Sequence, residues 1–229
     1  MQMLLALAIH YLLDKPIWVL EQLLVHLQQV EQVQLFHLFQ SNNSNLKSRI
    51  TMENISKHIT YQQGTYNKHG VDNTPNEIQL SNMKYLGSYF DILYEAMILK
   101  VKKGLIKFLY ITCMFRGKKV NSLTSGASKT SLHLNGEAID IDAVDGSGIT
   151  NKIIFDYIKD NLPFTELIWE FGTSYPNGNP SWVHYGLVKG RENEKVIKIA
   201  TKVQKKDAKG NLLKDKAGNP IYTTVYTRL

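Results

Sequence analysis

Residues 131–142 read SLHLNGEAIDID, which sets His133 and Asp140 seven positions apart with Gly136 between them. A neutral imidazole and a carboxylate are ordinary ligands for a divalent metal, and glycine permits the tight backbone path that would bring a loop residue and a strand residue to one ion. Catalytic zinc takes three protein ligands and keeps one position open. His184, in SWVHYG, is the candidate for the third. The chain has one cysteine, Cys113, so no intrachain disulfide forms and a thiolate-rich structural site is disfavoured.

A carboxylate is also needed to move the proton of an attacking water. FTELIWEF and WVHYGLV read as strands on either side of the turn cluster GTSYPNGNPS. A hairpin centred near Asn177 sets Glu170 directly opposite His184, with Cβ atoms about 4.5–5.5 Å apart on one sheet face. Glu170 is therefore the candidate general base. Asp142 and Asp145 are available as acceptors for the outer nitrogens of the two histidines, which metal-bound imidazoles usually require, although DAVDGSG reads equally as a turn with an Asx cap before the next helix.

The elements that must position these groups follow from punctuation and periodicity. In NTPNEIQL, Thr74 as N-cap, Pro75 at the first helical position and Glu77 three residues after the cap announce a helix. Met83, Leu86, Phe90, Leu93 and Met97 continue it as an apolar face. KFLYITCMF and AIDIDAV read as strands, RGKKVNSLTSGASKTS as a long loop, and TNKIIFDYIKDNL as a second helix. The tail carries KDAKGN and KDKAGN, an eight-residue echo read as turn chemistry in a terminal β-ribbon. The expected organisation is a helical leader over 1–51, a catalytic domain over 52–190 and a basic ribbon over 191–229. SNNSNLKSR is the linker after the leader, and Met52 is an equally natural start. The apolar run MQMLLALAIHYLL falls short of the roughly 20 residues a spanning helix needs, and it lacks a basic n-region. No stable membrane anchor is expected.

The formal charge of +7 is confined to one end. Residues 186–229 hold 11 Lys and Arg against 4 Asp and Glu, which leaves 16 against 16 in the rest. Such a tail can hold nucleic acid, anionic lipid or an acidic cell-wall polymer by charge alone, and a solvated lysine-rich edge is the plain alternative. Nucleic acid is not the expected partner, because no face of clustered aromatics and arginines accompanies the lysines.

SLHLNGEAID matches SxHxxGxAxD at all five fixed positions and so resembles the zinc D-alanyl-D-alanine carboxypeptidases, metallopeptidase family fifteen. NTPNE, GASKTSLH, LIWEFG and NPSWVH are similar to the phage and bacterial branch, and the resemblance runs over about residues 52–185. It implies an α+β fold of the hedgehog/D,D-peptidase type, with a small, mostly antiparallel sheet, helices on one side and a zinc cleft on the other. It implies zinc on His133, Asp140 and His184, Ser131 contacting substrate, and Arg116 steadying an oxyanion or the substrate carboxylate. The activity implied is hydrolysis of a bond in the peptidoglycan stem peptide, as a carboxypeptidase or an endolysin-type endopeptidase, by a monomer. An endolysin would stay in the cytoplasm until lysis, whereas a cellular carboxypeptidase would work in the periplasm or wall. Many relatives carry an acidic base three residues before the last histidine, where this chain has Ser181. CMFRG also departs from the family's Ser, Gly and Tyr before the arginine. An inactive zinc-stabilised wall- or protein-binding module is therefore the alternative, and the placement of Glu170 separates the two.

Overall fold

The computed structural model describes residues 53–101 and 108–229. The leader expected over 1–51 lies outside them. After a short helix α1 (Tyr61–Thr65), the long helix α2 (Glu77–Ile98) buries Met83, Leu86, Phe90, Leu93 and Met97, the face its spacing predicts. It begins two residues later than the Thr74 signal. Asn76 is the cap, since its side chain accepts from the Gln79 amide while the Gln79 side chain accepts from the Asn76 amide. The Thr74 hydroxyl donates to Asp72 instead.

Strand β1 (Leu109–Cys113) follows, then the short helix α3 (Lys118–Leu123), inside the stretch read as loop, and a 3₁₀ turn (Leu132–Asn135) directly after that stretch. Next come β2 (Ala138–Ala143), α4 (Asn151–Asn161) capped by Thr150, β3 (Glu166–Glu170), β4 (Trp182–Gly186), β5 (Val196–Gln204) and β6 (Tyr222–Arg228). The six strands form one sheet in the order β1-β2-β4-β3-β5-β6, and only the β3–β5 pairing is parallel. The fold is α+β.

Period-two alternation divides the sheet into two chemically opposite faces. Ile139, Ile141, Leu167, Trp169, Val183 and Tyr185 are all buried in the core that α2 and α4 supply with Leu86, Phe90, Ile154, Phe155 and Ile158. The other face carries Asp140, His184, Glu166 and Glu170. Slipping one strand by one residue would turn its core side chains outward at about 1.5–3 kcal/mol each, so the parity of every strand is fixed.

β5 continues the sheet beside β3, and β6 pairs along β5. Between these two strands lie a pair of matching turns. Asp207 accepts from the Lys209 and Asn211 amides, as Asp215 does from the Ala217 and Asn219 amides. The backbone at the three eight-spaced positions closes on itself, because Lys205 donates to Ile221, Ile221 to Leu213 and Leu213 to Lys205. Residues Glu53–Leu229 form one unit. Among the described residues no helix is long and apolar enough to cross a membrane.

Candidate active site

Asp140 and His184 stand directly opposite each other across the β2–β4 ladder. His133 comes to them from the 3₁₀ turn, whose end at Gly136 is in the left-handed region, with φ 72°. A Cβ at that glycine would lie 2.6 Å from the Gln79 carbonyl oxygen, so only glycine lets the turn pack against α2 and lead at once into β2.

The three groups meet atom to atom. Nε2 of His133 is 3.2 Å from Nδ1 of His184 and 3.2 Å from Oδ1 of Asp140, and Nδ1 of His184 is 2.9 Å from the same oxygen. A tetrahedral ion with bonds of about 2.0–2.1 Å would hold its ligand atoms roughly 3.3 Å apart. The triangle therefore fits zinc with little adjustment. Nδ1 of His133 donates to the Met114 carbonyl at 2.7 Å, which leaves Nε2 as the lone-pair nitrogen that faces the triangle. Cys113 is the other soft ligand nearby, and with His133 and Asp140 it makes a second candidate group. Its sulfur lies 3.7 Å from Nδ1, the nitrogen already committed to Met114, and burial pushes its thiol up to about 12. The His133, Asp140 and His184 triangle is the better fit.

Without metal, charge is held within this triangle. Burial holds His133 below its ordinary value. Burial also opposes charge on His184, but hydrogen bonding to Asp140 and the nearby Glu166 outweigh it and lift His184 to about 9. Burial opposes ionisation of Asp140, and the two imidazoles more than reverse that and hold it far below the carboxylate range.

Glu170 is on the same face, as expected, but not opposite His184. The observed register pairs Glu170 with Trp182 and Ile168 with His184, so the hairpin is centred on Pro176 rather than Asn177. The connection is irregular. Phe171 and Gly172 both leave the strand at positive φ, and Thr173 and Asn179 bond each other across the loop. A shift of two preserves parity, so Glu170 stays diagonal to His184. It is 5% exposed, and burial, aided by Asp140 and Glu166, pushes its carboxyl up to about 7 against the pull of His184 and Arg116.

Arg116 and Ser131 are brought together, with Nη2 donating to the serine hydroxyl at 3.0 Å. The Arg116 Nε is buried without a hydrogen-bond partner, a donor that an anionic oxygen would satisfy. Ser181 holds no acid, and its amide donates to the Glu170 carbonyl.

The expected outer acceptors are corrected. Asp142 accepts from the buried Asn151, which also reaches the Pro180 and Ser181 carbonyls. Asp145 lines, with Asp142 and Ser181, a cavity of about 890 Å³. The group actually beside His184 is Glu166, with Oε1 3.3 Å from Nε2 and its other oxygen bound by Lys198. Sequence reasoning missed Glu166, although its place four residues before Glu170 gives it the same face. Tyr226 was missed too. It stands opposite Ala200, which stands opposite Glu170, and burial together with Glu170, Asp140 and Glu166 pushes its phenol up to about 12.

The family model described as Peptidase M15 matches residues 57–159. That span includes Arg116, Ser131, His133 and Asp140 and stops before Glu170 and His184. No curated protein matches the chain. Over residues 57–159 the chain is similar to the Peptidase M15 family of zinc-dependent peptidases.

Proposed function

We propose that the protein hydrolyses a peptide bond of the peptidoglycan stem, with zinc held by His133, Asp140 and His184. The observation that carries this reading is the triangle of 2.9–3.2 Å edges with an electrically poised carboxylate, Glu170, on the same sheet face. When bound, zinc supplies Lewis acidity that polarises the scissile carbonyl and acidifies water.

Glu170 takes a proton from the attacking water as the new C–O bond forms. It delivers that proton to the departing nitrogen as the C–N bond breaks. A carboxyl pushed up to about 7 suits both roles, since its affinity for the proton is close to balanced at neutral pH. Arg116, held by Ser131, meets the developing oxyanion or a free substrate carboxylate with its unpaired Nε. The basic ribbon would supply affinity for anionic wall polymers.

The deciding experiment measures zinc content and the masses released from purified peptidoglycan, for the wild type and Glu170→Ala. Stoichiometric zinc in both, with stem-peptide cleavage only by the wild type, is the expected outcome, and the masses name the bond. Zinc with no cleavage by either protein would replace the peptidase with a zinc-stabilised binding module.

A further inference from the structure

We propose that Glu166 is a positioning residue that sets which nitrogen His184 offers to the metal, and that the terminal ribbon holds it in place through Lys198. This rests on His184 being a ligand. An imidazole that binds through Nδ1 must carry its proton on Nε2, and an acceptor facing Nε2 stabilises that tautomer and fixes the ring plane. Nε2 of His184 is buried and makes no hydrogen bond of good geometry, and Oε1 of Glu166 is the carboxylate oxygen within reach of it, at 3.3 Å.

Three features of the sheet support the assignment. Ile168 is the residue directly opposite His184 on β3, so Glu166 reaches the ring diagonally from one side while Glu170 flanks it from the other. The two carboxylates therefore divide the work, with Glu166 at the outer nitrogen and Glu170 left to face substrate. Lys198 stands opposite Ile168 on β5 and binds the second Glu166 oxygen, which leaves Oε1 for the ring. Lys198 and the strand that carries it lie beyond residues 57–159, so this support comes from the chain's own C-terminal extension of the sheet.

The test is zinc affinity by competition with a chromogenic chelator, together with the visible spectrum of the cobalt(II)-loaded protein, which reports ligand geometry. Glu166→Ala is expected to weaken zinc binding roughly 10–100-fold, the usual effect of losing an outer partner of a metal-bound imidazole, and to alter the cobalt spectrum. Glu166→Met, which keeps the bulk, should do the same even if the alanine variant packs poorly. Glu166→Gln keeps an acceptor and should recover both signals, with affinity within about fivefold of the wild type. Folded Ala or Met variants that bind zinc as the wild type does would overturn the assignment. So would a Gln variant no better than Ala, since charge alone would then explain the loss. A wild type that binds no zinc would instead remove the underlying reading of His184.

Discussion

Glu170 sits where its catalytic use and the stability of the fold pull in opposite directions. Its carboxyl is raised from near 4.5 to about 7 chiefly by burial. A raised folded value means that its contribution to stability is fully present below the unfolded value and is lost as pH rises through about 7. Glu170→Gln should therefore lower kcat by about 10²–10⁴ with zinc retained. In chelator it should make the protein more stable than the wild type at pH 8, by on the order of 2–3 kcal/mol, and not at pH 4. Paired chemical denaturation curves at the two pH values check this. His184 behaves differently. Lifted to about 9 by Asp140 and Glu166, it stabilises the metal-free fold fully below its ordinary value of 6.5, and that stability is lost as pH rises through about 9. The same proton competes with the metal, so zinc affinity should climb about tenfold per pH unit between roughly 6.5 and 9 and then level off. At this scale the sequence was informative where residue type and local spacing suffice, as for His133, Gly136 and Asp140. Glu166 and Tyr226 escaped because each reaches the site only through pairing between distant strands.

The elements show why parity was legible and register was not. Alternating apolar side chains on β2, β3 and β4 fix which residues face the core, since a one-residue slip would expose several of them. A two-residue slip exposes none, so only the turn decides it. That turn runs from Phe171 at φ 55° through a loop closed by Thr173 and Asn179, a geometry that no short hairpin rule anticipates. The helices were easier, because their apolar spacing and caps are local. Thr150, the first residue of the stretch read as the second helix, is the cap of α4, whereas α2 exchanged Thr74 for Asn76 once Asp72 had taken the threonine hydroxyl. Gly136 is the element-level weak point. Gly136→Ala would force a Cβ to 2.6 Å from the Gln79 carbonyl in an already left-handed residue. A loss of about 3 kcal/mol or more in urea denaturation, with zinc binding lost in parallel, is expected.

For the molecule as a whole, β5 is both a sheet strand and the carrier of Lys198, so the ribbon is divisible into parts with different duties. Removing residues 196–229 would strip β3 of one of its two partners, leaving it an edge strand, and should leave insoluble protein. Replacing only 205–221, with its five lysines and two aspartates, by a short turn between β5 and β6 should spare hydrolysis of a soluble stem peptide. The same replacement should weaken salt-sensitive co-sedimentation with whole walls, and sedimentation unchanged at low salt would show that the lysines hold no polymer. The closed backbone ring of Lys205, Leu213 and Ile221 has one more consequence. A β-ribbon that projects from a sheet ordinarily ends in unsatisfied amides and carbonyls, which recruit further strands and begin a fibril. At these three positions each segment's donor goes to another's acceptor, and two aspartates collect the amides of the intervening turns. The tip offers a neighbouring copy no template there, so a concentrated preparation can keep its outermost β-structure from polymerising.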